Sequence, residues 1–211
     1  MQLIGMLDSP YVRRVAVALI AARVPFEHKP ISLFRHIDEF SKINPLLKAP
    51  TLVTDDGTVL MDSTLILDDC LEAFPSVRAL VPSSREERRR ATRATGLALV
   101  VMEKAVQLHY ERALRPAEKR HEPWVGRVSG QLGRALGALD RELPRDGWVA
   151  GPLGLADIAA ACAAGFVAGT IGDLVDVAEW PNLAAYWARA EALPAFRAAP
   201  AEDGVTARSL A

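Results

Sequence analysis

Strand signals in this 211-residue chain are confined to its first third, and this asymmetry constrains the fold more than any other feature. Up to about residue 75, short apolar runs typical of strands alternate with helical patterns. After Pro82 the sequence is helical in composition, and no strand signal returns. Interleaved strands and helices indicate an α/β unit, and a long remainder without strands indicates a helical one. The sequence therefore predicts two domains, residues 1–77 and 84–211.

The predicted order of elements in the first domain is strand, helix, strand, loop, hairpin and helix. The apolar run from Gln2 to Leu7 stops at Asp8-Ser9-Pro10, after which apolar residues recur at helical spacing. An edge strand is predicted over residues 26–33, which contain and follow prolines. A glycine-containing turn at residues 55–57 indicates a hairpin, and Asp62-Ser63-Thr64 then opens a helix that runs to residue 73.

The second domain is predicted to consist of helices and a final short turn. Their approximate bounds are residues 83–114, 118–143, 154–171, 181–193 and 195–199. The stretch 158–171 is the most membrane-like of the chain, but its length of about 14 residues falls short of the roughly 20 that a spanning helix needs. Since it is mostly Ala and Gly, we predict a buried helix.

Charge and cysteine content argue against several classes of protein. The formal net charge of −1 provides no overall basic field for nucleic acid. The basic run 85–90 contains two glutamates and lacks a neighbouring aromatic platform, so we interpret it as a solvated helix start. Cys70 and Cys162 are too few for a disulfide scaffold, and the first residues do not resemble a secretory signal. We expect a cytoplasmic protein with no nucleic-acid, membrane or metal partner.

Ser9 and Pro10 lie at the predicted strand-to-helix corner. A serine N-cap followed by proline is an ordinary way to begin a helix. The same geometry aims backbone N–H groups and a partial positive charge outward, which favours an anion such as a thiolate. A free thiol has a pKa of about 8.5, and only its thiolate attacks. Ser9 is therefore a candidate for activating a bound thiol, with simple helix capping as the alternative.

Two further corners of the first domain could hold an extended peptide. Ala49-Pro50 precedes a strand, and a cis bond there would present the Ala49 backbone to a ligand that pairs as an added strand. A trans bond that merely ends the loop is the commoner alternative, since only about 5–6% of X–Pro bonds in folded proteins are cis. The Ser63 hydroxyl could hold a carboxylate and Asp62 an ammonium group, although this pair is also an ordinary helix start.

Taken together, these motifs resemble those of the cytosolic glutathione transferases over nearly the whole chain. Residues 9–15 (Ser-Pro-Tyr-Val-Arg-Arg-Val) are similar to the active-site corner of the serine and cysteine classes, residues 44–50 to the loop before the cis-proline, and Asp62-Ser63 to the acid–serine pair. The resemblance implies a thioredoxin-like α/β amino-terminal domain followed by an all-α carboxyl-terminal domain. Residues 151–158 and 180–196 are similar to the family's capping-box segment and last helices.

The resemblance also implies roles for single residues. Ser9 would hydrogen-bond the glutathione thiolate, and the Ala49 backbone would pair with the cysteinyl unit. Asp62 and Ser63 would bind the γ-glutamyl end. The other residues expected at the glutathione site are Pro10, Tyr11, Pro50, and, for the glycine carboxylate, His36 and Lys48.

A second substrate would enter a groove between the domains, according to the same resemblance. The candidates for its apolar wall are Leu7, Tyr11, His109, Tyr110 and Trp124. Aromatic residues at helical spacing more often pack in the core than line a pocket, and we expect core packing for most of these residues. In the capping-box segment, Gly154 stands where the family carries serine or threonine, and Asp157 is expected to act structurally.

The expected activity is attack of the glutathione thiol on a small hydrophobic electrophile, as in detoxification, with glutathione as co-substrate and no cofactor. The alternatives are a glutathione-dependent cis–trans isomerase of the maleylacetoacetate type and a non-catalytic interaction module. The usual Ser-Ser-Cys corner of the isomerase is missing, and Ser9 replaces the cysteine of the glutaredoxin-like classes. Retention of Asp62-Ser63 disfavours the non-catalytic alternative.

A homodimer is expected because the family commonly forms symmetric dimers. In such a dimer, the basic run 85–90 could face acidic residues of a second copy. These acidic residues are Asp68, Asp69 and Glu72.

Overall fold

The computed structural model describes residues 1–202, which form two compact units. The first unit contains Met1–Val81 together with the described residues from Glu191 onward, and the second contains Pro82–Ala190. The predicted second domain, 84–211, differs from this division at its end. The physical reason is that Arg13, in the first unit, binds both Glu191 and the Ala199 carbonyl.

The first unit is built on a mixed sheet of four strands. The strands are β1 (Gln2–Ile4), β2 (Glu27–Lys29), β3 (Thr51–Val53) and β4 (Val59–Met61), in the order β2-β1-β3-β4. β1 pairs parallel with β2 and antiparallel with β3, which in turn pairs antiparallel with β4. The helices between and after them are α1 (Pro10–Ala21), α2 (Ile37–Ile43), α3 (Ser63–Ala73) and α4 (Pro75–Arg78). The α/β prediction is confirmed.

The core of the first unit lies between the sheet and its helices. Leu3 and Ile4 of β1 and Val15 of α1 have no exposed surface. Burying each such side chain stabilises the fold by roughly 1.5–3 kcal/mol. Phe40 attaches α2 by packing against Ile4 and Ile31. This helix was not predicted, because seven residues with one buried side chain leave almost no periodic signal.

The second unit is helical, as predicted. Its helices are α5 (Arg85–Ala113), α6 (Glu122–Glu142), α7 (Leu155–Ile171) and α8 (Pro181–Glu191), the last residue of which belongs to the first unit. Two 3-10 turns lie at Ala117–Lys119 and Val177–Glu179, and a final short helix, α9 (Pro194–Arg197), lies in the first unit. α5 packs against both α6 and α7.

α7 is buried over most of its length, as predicted for the Ala-rich stretch. Small side chains let neighbouring helices approach closely, because the interaxial distance depends on the residues at the contact. In the part of the chain that the structure describes, none of the helices combines the length and the apolar character needed to cross a membrane.

Asp157 fixes the start of α7. Its Oδ2 accepts from the Gly154 N–H at 2.7 Å and its Oδ1 from the Val149 N–H at 2.9 Å. The buried Tyr186 hydroxyl also donates to Oδ1. Burial raises the pKa of Asp157, and the bond from Tyr186 opposes this. Glycine at the N-cap has no hydroxyl, so the side-chain bond of the capping box is the one from the Gly154 N–H to the Asp157 carboxylate. This is the structural role expected from the sequence.

Candidate active site

Three of the predicted motifs meet at one edge of the sheet. The register pairs Ile4 with Thr51 and Thr51 with Met61, so β1 and β4 end where β3 begins. β1 and β4 both run antiparallel to β3. At this edge the chain therefore leaves β1 toward Ser9, enters β3 from Pro50 and leaves β4 toward Asp62.

Gly5 shows how closely the β1 and proline segments approach each other. A Cβ atom at Gly5 would lie 2.7 Å from Val12 Cγ2 and 3.2 Å from the Ala49 methyl group. Its φ of +134° is also one that L side chains rarely adopt. The Ala49 backbone therefore lies beside the turn that connects β1 with Ser9 and α1.

Ser9 is the N-cap of α1. Its Oγ accepts from the Val12 N–H at 3.4 Å, which is long for a hydrogen bond, so the hydroxyl retains capacity for another partner. The first turn of α1 contains no acidic residue to offset the partial positive charge of the helix start. Pro10 is buried, and Tyr11 is half-buried. Leu7 has no exposed surface.

Asn44 organises the loop that leads into β3. Its Nδ2 donates to Thr51 Oγ1 at 2.8 Å, and its Oδ1 accepts from the Leu46 N–H at 3.0 Å. Thr51 Oγ1 in turn donates to the Lys48 carbonyl at 2.6 Å. The Ala49–Pro50 peptide bond is cis. Asn44 is 1% exposed, so a buried side-chain network holds this loop. The only sequence signal for this role is the position of Asn44 just before Pro45.

Asp62 and Ser63 form the third corner. Asp62 has a φ of +70°, and its Oδ1 accepts from the N–H groups of Thr64 and Leu65 at 2.8 and 3.4 Å. A carboxylate has two acceptor oxygens, so capping by Oδ1 is compatible with a second interaction through Oδ2. Ser63 is 3% exposed, and its Oγ accepts from Arg14 Nη1 at 3.0 Å. Sequence reasoning missed Arg14.

The two candidates for the glycine carboxylate, His36 and Lys48, are both exposed. His36 precedes α2, and its Nδ1 accepts from the Ser32 N–H at 3.2 Å. Lys48 lies in the loop that Asn44 holds. Both side chains therefore stand on the surface of the first unit.

The candidates for the second-substrate pocket in the second unit separate into two groups. Tyr110 and Trp124 line a cavity of about 460 Å³ together with Leu114, Lys119 and other residues of the same unit. The ring of His109 lies 5.9 Å from the Tyr110 ring and packs edge-on against Phe166, with centroids 6.4 Å apart. Within residues 1–202, no group of three or more His, Cys, Asp or Glu side chains is arranged to hold a metal ion.

A small four-stranded domain with this edge, followed by a helical domain, defines a thioredoxin-like protein with an added helical module. Residues 3–78 match the family model described as "Glutathione S-transferase, N-terminal domain", and residues 101–194 match "Glutathione S-transferase, C-terminal domain". The chain belongs to the cytosolic glutathione S-transferase superfamily.

Individual relatives agree with this assignment. A maleylacetoacetate isomerase of Pseudomonas aeruginosa is 27% identical over 88% of this chain and 89% of its own. The structure of a glutathione S-transferase from Methylobacterium radiotolerans in complex with glutathione sulfonate has a TM-score of 0.85 and 29% identity, covering 93% of this chain and 92% of its own. A glutathione transferase family member from Pseudomonas fluorescens Pf-5 with bound S-(propanoic acid)-glutathione has a TM-score of 0.79 and 31% identity, covering 94% and 97%.

Proposed function

We propose that this protein is a glutathione transferase that binds glutathione at the sheet edge of the first unit and activates its thiol for attack on a small hydrophobic electrophile. The observation that carries the proposal is the strand register, which brings the Ser9, Pro50 and Asp62 corners to one edge. The relatives with bound glutathione derivatives support it. Glutathione is the co-substrate, and the reaction needs no resident cofactor.

Ser9 acts at the thiol end of glutathione. Its hydroxyl donates to the sulfur, and the α1 start beside Pro10 and Tyr11 adds a partial positive charge. A hydrogen bond to a charged acceptor contributes about 1.5–3 kcal/mol, and one pKa unit corresponds to about 1.4 kcal/mol. One such bond therefore lowers the thiol pKa from about 8.5 by roughly one to two units, which makes the thiolate a major species at neutral pH.

The rest of the tripeptide lies along the other corners. The Ala49 backbone beside Pro50 pairs with the cysteinyl unit, in the manner of an added strand. Asp62 pairs with the γ-glutamyl ammonium group through its carboxylate, and Ser63 donates to the neighbouring carboxylate.

His36 and Lys48 reach the glycine carboxylate in this proposal. Both are exposed in the first unit and therefore accessible to a ligand.

The electrophile is a small apolar molecule. Tyr110 and Trp124 contribute aromatic surface to it, since both are about two-fifths exposed and border the same cavity. The volume of this cavity is within the roughly 300–1,000 Å³ typical of small-molecule sites. Leu7, Tyr11 and His109 are the other candidates carried over from the sequence, and the burial of Leu7 leaves it a supporting role.

Isomerisation is the second candidate function, and the identity with a maleylacetoacetate isomerase favours it. In that reaction the thiolate adds to a cis double bond and leaves again after rotation, so glutathione is regenerated. Both reactions need the same activated thiol. The two functions differ only in whether the sulfur stays on the product.

Substitution of Ser9 by alanine tests the proposal. The wild type and Ser9→Ala are both expected to bind to immobilised glutathione, whereas turnover of an aryl halide falls about 10- to 100-fold in the variant. Ultraviolet titration of the bound thiolate should show a higher thiol pKa in the variant. Ser76→Ala, at an exposed serine of the same unit, is the matched control. Absence of glutathione binding by the wild type would overturn the proposal, and turnover of a maleyl-type cis acid without glutathione consumption would assign isomerisation.

We also propose a cytoplasmic homodimer. The acidic side chains of Asp68 and Asp69 are exposed on α3, next to Leu65, which is 64% exposed. The start of α5 carries exposed arginines, and these charges are complementary to α3 of a second copy. Light scattering after gel filtration should give twice the monomer mass at low salt. A monomer at every protein concentration would exclude the dimer.

A further inference from the structure

We propose that Arg14 is a positioning residue that holds the Ser63 hydroxyl in the orientation that receives the γ-glutamyl carboxylate. This inference rests on the proposed function, and it concerns the end of glutathione opposite to the reacting thiol. Arg14 is 2% exposed, so its side chain is an internal part of the first unit.

Arg14 links α1 to the first turn of α3. Its Nη1 donates to Ser63 Oγ at 3.0 Å and to Thr64 Oγ1 at 3.2 Å. A guanidinium group only donates hydrogen bonds, so Ser63 Oγ must accept. A hydroxyl has one proton of its own, which is then directed away from Arg14. The hydroxyl that would otherwise rotate among partners is thereby held as a donor for an anion.

The charge of Arg14 also favours a carboxylate at this corner. Its guanidinium lies within hydrogen-bond distance of residues 63 and 64, at the helix end where the partial charge is positive. The carboxylate of Asp62 already satisfies the N–H groups of Thr64 and Leu65. Two of the donors of this helix start are therefore used internally, which makes the oriented Ser63 hydroxyl more important for a ligand.

The neighbouring Arg13 shows that the two arginines have different tasks. Arg13 forms a bidentate ion pair with Glu191, at 2.6 and 2.7 Å, so a carboxylate of the protein compensates its charge. Consecutive residues of a helix project about 100° apart. Arg14 reaches the hydroxyl groups of Ser63 and Thr64 on α3, where the proposed ligand binds.

α1 also sets the distance between the two ends of the site. Ser9 and Arg14 are five positions apart, which corresponds to about 7.5 Å along the helix axis. One rigid element thus places both the thiol contact and the residue that orients the γ-glutamyl contact. Loss of the Arg14 side chain should weaken glutathione binding while the chemistry at Ser9 continues.

Steady-state kinetics and calorimetry with glutathione test this inference. Arg14→Met keeps the length of the side chain but removes its donors and charge, and we expect the KM and Kd for glutathione to rise about tenfold, as for the loss of one hydrogen bond to a charged group. The kcat at saturating glutathione should stay within about twofold. Arg14→Lys should restore part of the affinity. Thr64→Val is the matched control, because it removes only the second hydroxyl that Arg14 contacts.

A double-mutant cycle with Ser63→Ala separates positioning from general destabilisation. If Arg14 acts through the Ser63 hydroxyl, Arg14→Met should weaken binding much less in the Ser63→Ala background than in the wild type. Equal losses in both backgrounds, or an unchanged KM, would overturn the inference. Where Arg14→Met does not fold, the cycle is carried out with Arg14→Lys. Failure of the wild type to bind glutathione would instead overturn the proposed function and this inference with it.

Discussion

The buried ion pair of Arg13 and Glu191 provides a quantitative prediction. The guanidinium donates to both oxygens of Glu191, and its Nε donates to the Ala199 carbonyl at 2.8 Å. It also lies 5.4 Å from the centre of the Phe196 ring. The side chain of Arg13 is 4% exposed and that of Glu191 30%. These contacts therefore attach α1 to the last residue of α8 and to the segment after it.

We expect Glu191→Gln to lower the free energy of unfolding by about 2–3 kcal/mol. The amide retains one acceptor oxygen, but its NH₂ group meets an Arg13 nitrogen that only donates. Removing one partner of a fully buried pair costs about 3–5 kcal/mol, and an exposed pair contributes about 0–1 kcal/mol. Because Glu191 is partly exposed, water can reach the remaining charge, and a value between these two ranges, about 2–3 kcal/mol, applies. The melting temperature should fall by roughly 4–12 °C.

Urea unfolding followed by far-ultraviolet circular dichroism measures this effect. Tryptophan fluorescence is unsuitable, because all four tryptophans of the chain lie in the second unit. Glu72→Gln is the matched control, since Glu72 pairs with Arg78 at 79% and 57% exposure and should cost less than about 1 kcal/mol. If Glu191→Gln destabilises the protein no more than Glu72→Gln, the assumption that burial strengthens the pair is wrong.

Two further predictions concern titratable groups of the first unit. Burial, followed by the charge of Asp69, raises the pKa of Cys70 to about 11, so iodoacetamide at pH 8 should modify Cys70 far more slowly in the folded than in the unfolded protein, as measured by peptide mass spectrometry. Rapid modification of the folded protein would contradict this. Burial lowers the pKa of His28, whose Nε2 lies 2.8 Å from the Gly5 carbonyl. Below pH 6.5 the unfolded chain therefore binds the proton more readily than the folded one, and the free energy of unfolding should decrease as the pH is lowered. This dependence should be reduced in His28→Gln, which keeps a donor for Gly5, and equal pH profiles would refute it.

The corners of the site were predictable from sequence because their signals are local. Ser9 followed by Pro10, and Asp62 followed by Ser63, are residue types that begin helices, and the structure uses them in this way. The antiparallel hairpin of β3 and β4 was likewise predicted, from the glycine-containing turn at residues 55–57. Once the strand pairing is known, the meeting of these corners follows from the register alone.

The interior arginines were not predictable, because burial of a charged side chain depends on partners far away in sequence. Arg13 and Arg14 occur in a helical pattern in which charged residues normally face solvent. Their partners are Glu191, which is 178 positions from Arg13, and Ser63, which is 49 positions from Arg14. No local sequence pattern indicates a partner that is so far away along the chain. The same reason explains why the grouping of the residues from Glu191 with the first unit is not evident from the sequence.

α1 therefore has three roles, although the sequence pattern predicts only a capped helix. Its first turn faces the proposed thiol, Arg13 binds Glu191, and Arg14 binds Ser63. The Arg13 bond to Glu191 and the Arg14 bond to Ser63 go to different elements. Glu191→Gln should consequently lower stability while the folded fraction keeps its affinity for glutathione, whereas Arg14→Met should weaken that affinity. A large change of affinity in Glu191→Gln would show that the ion pair also controls the position of α1 at the site.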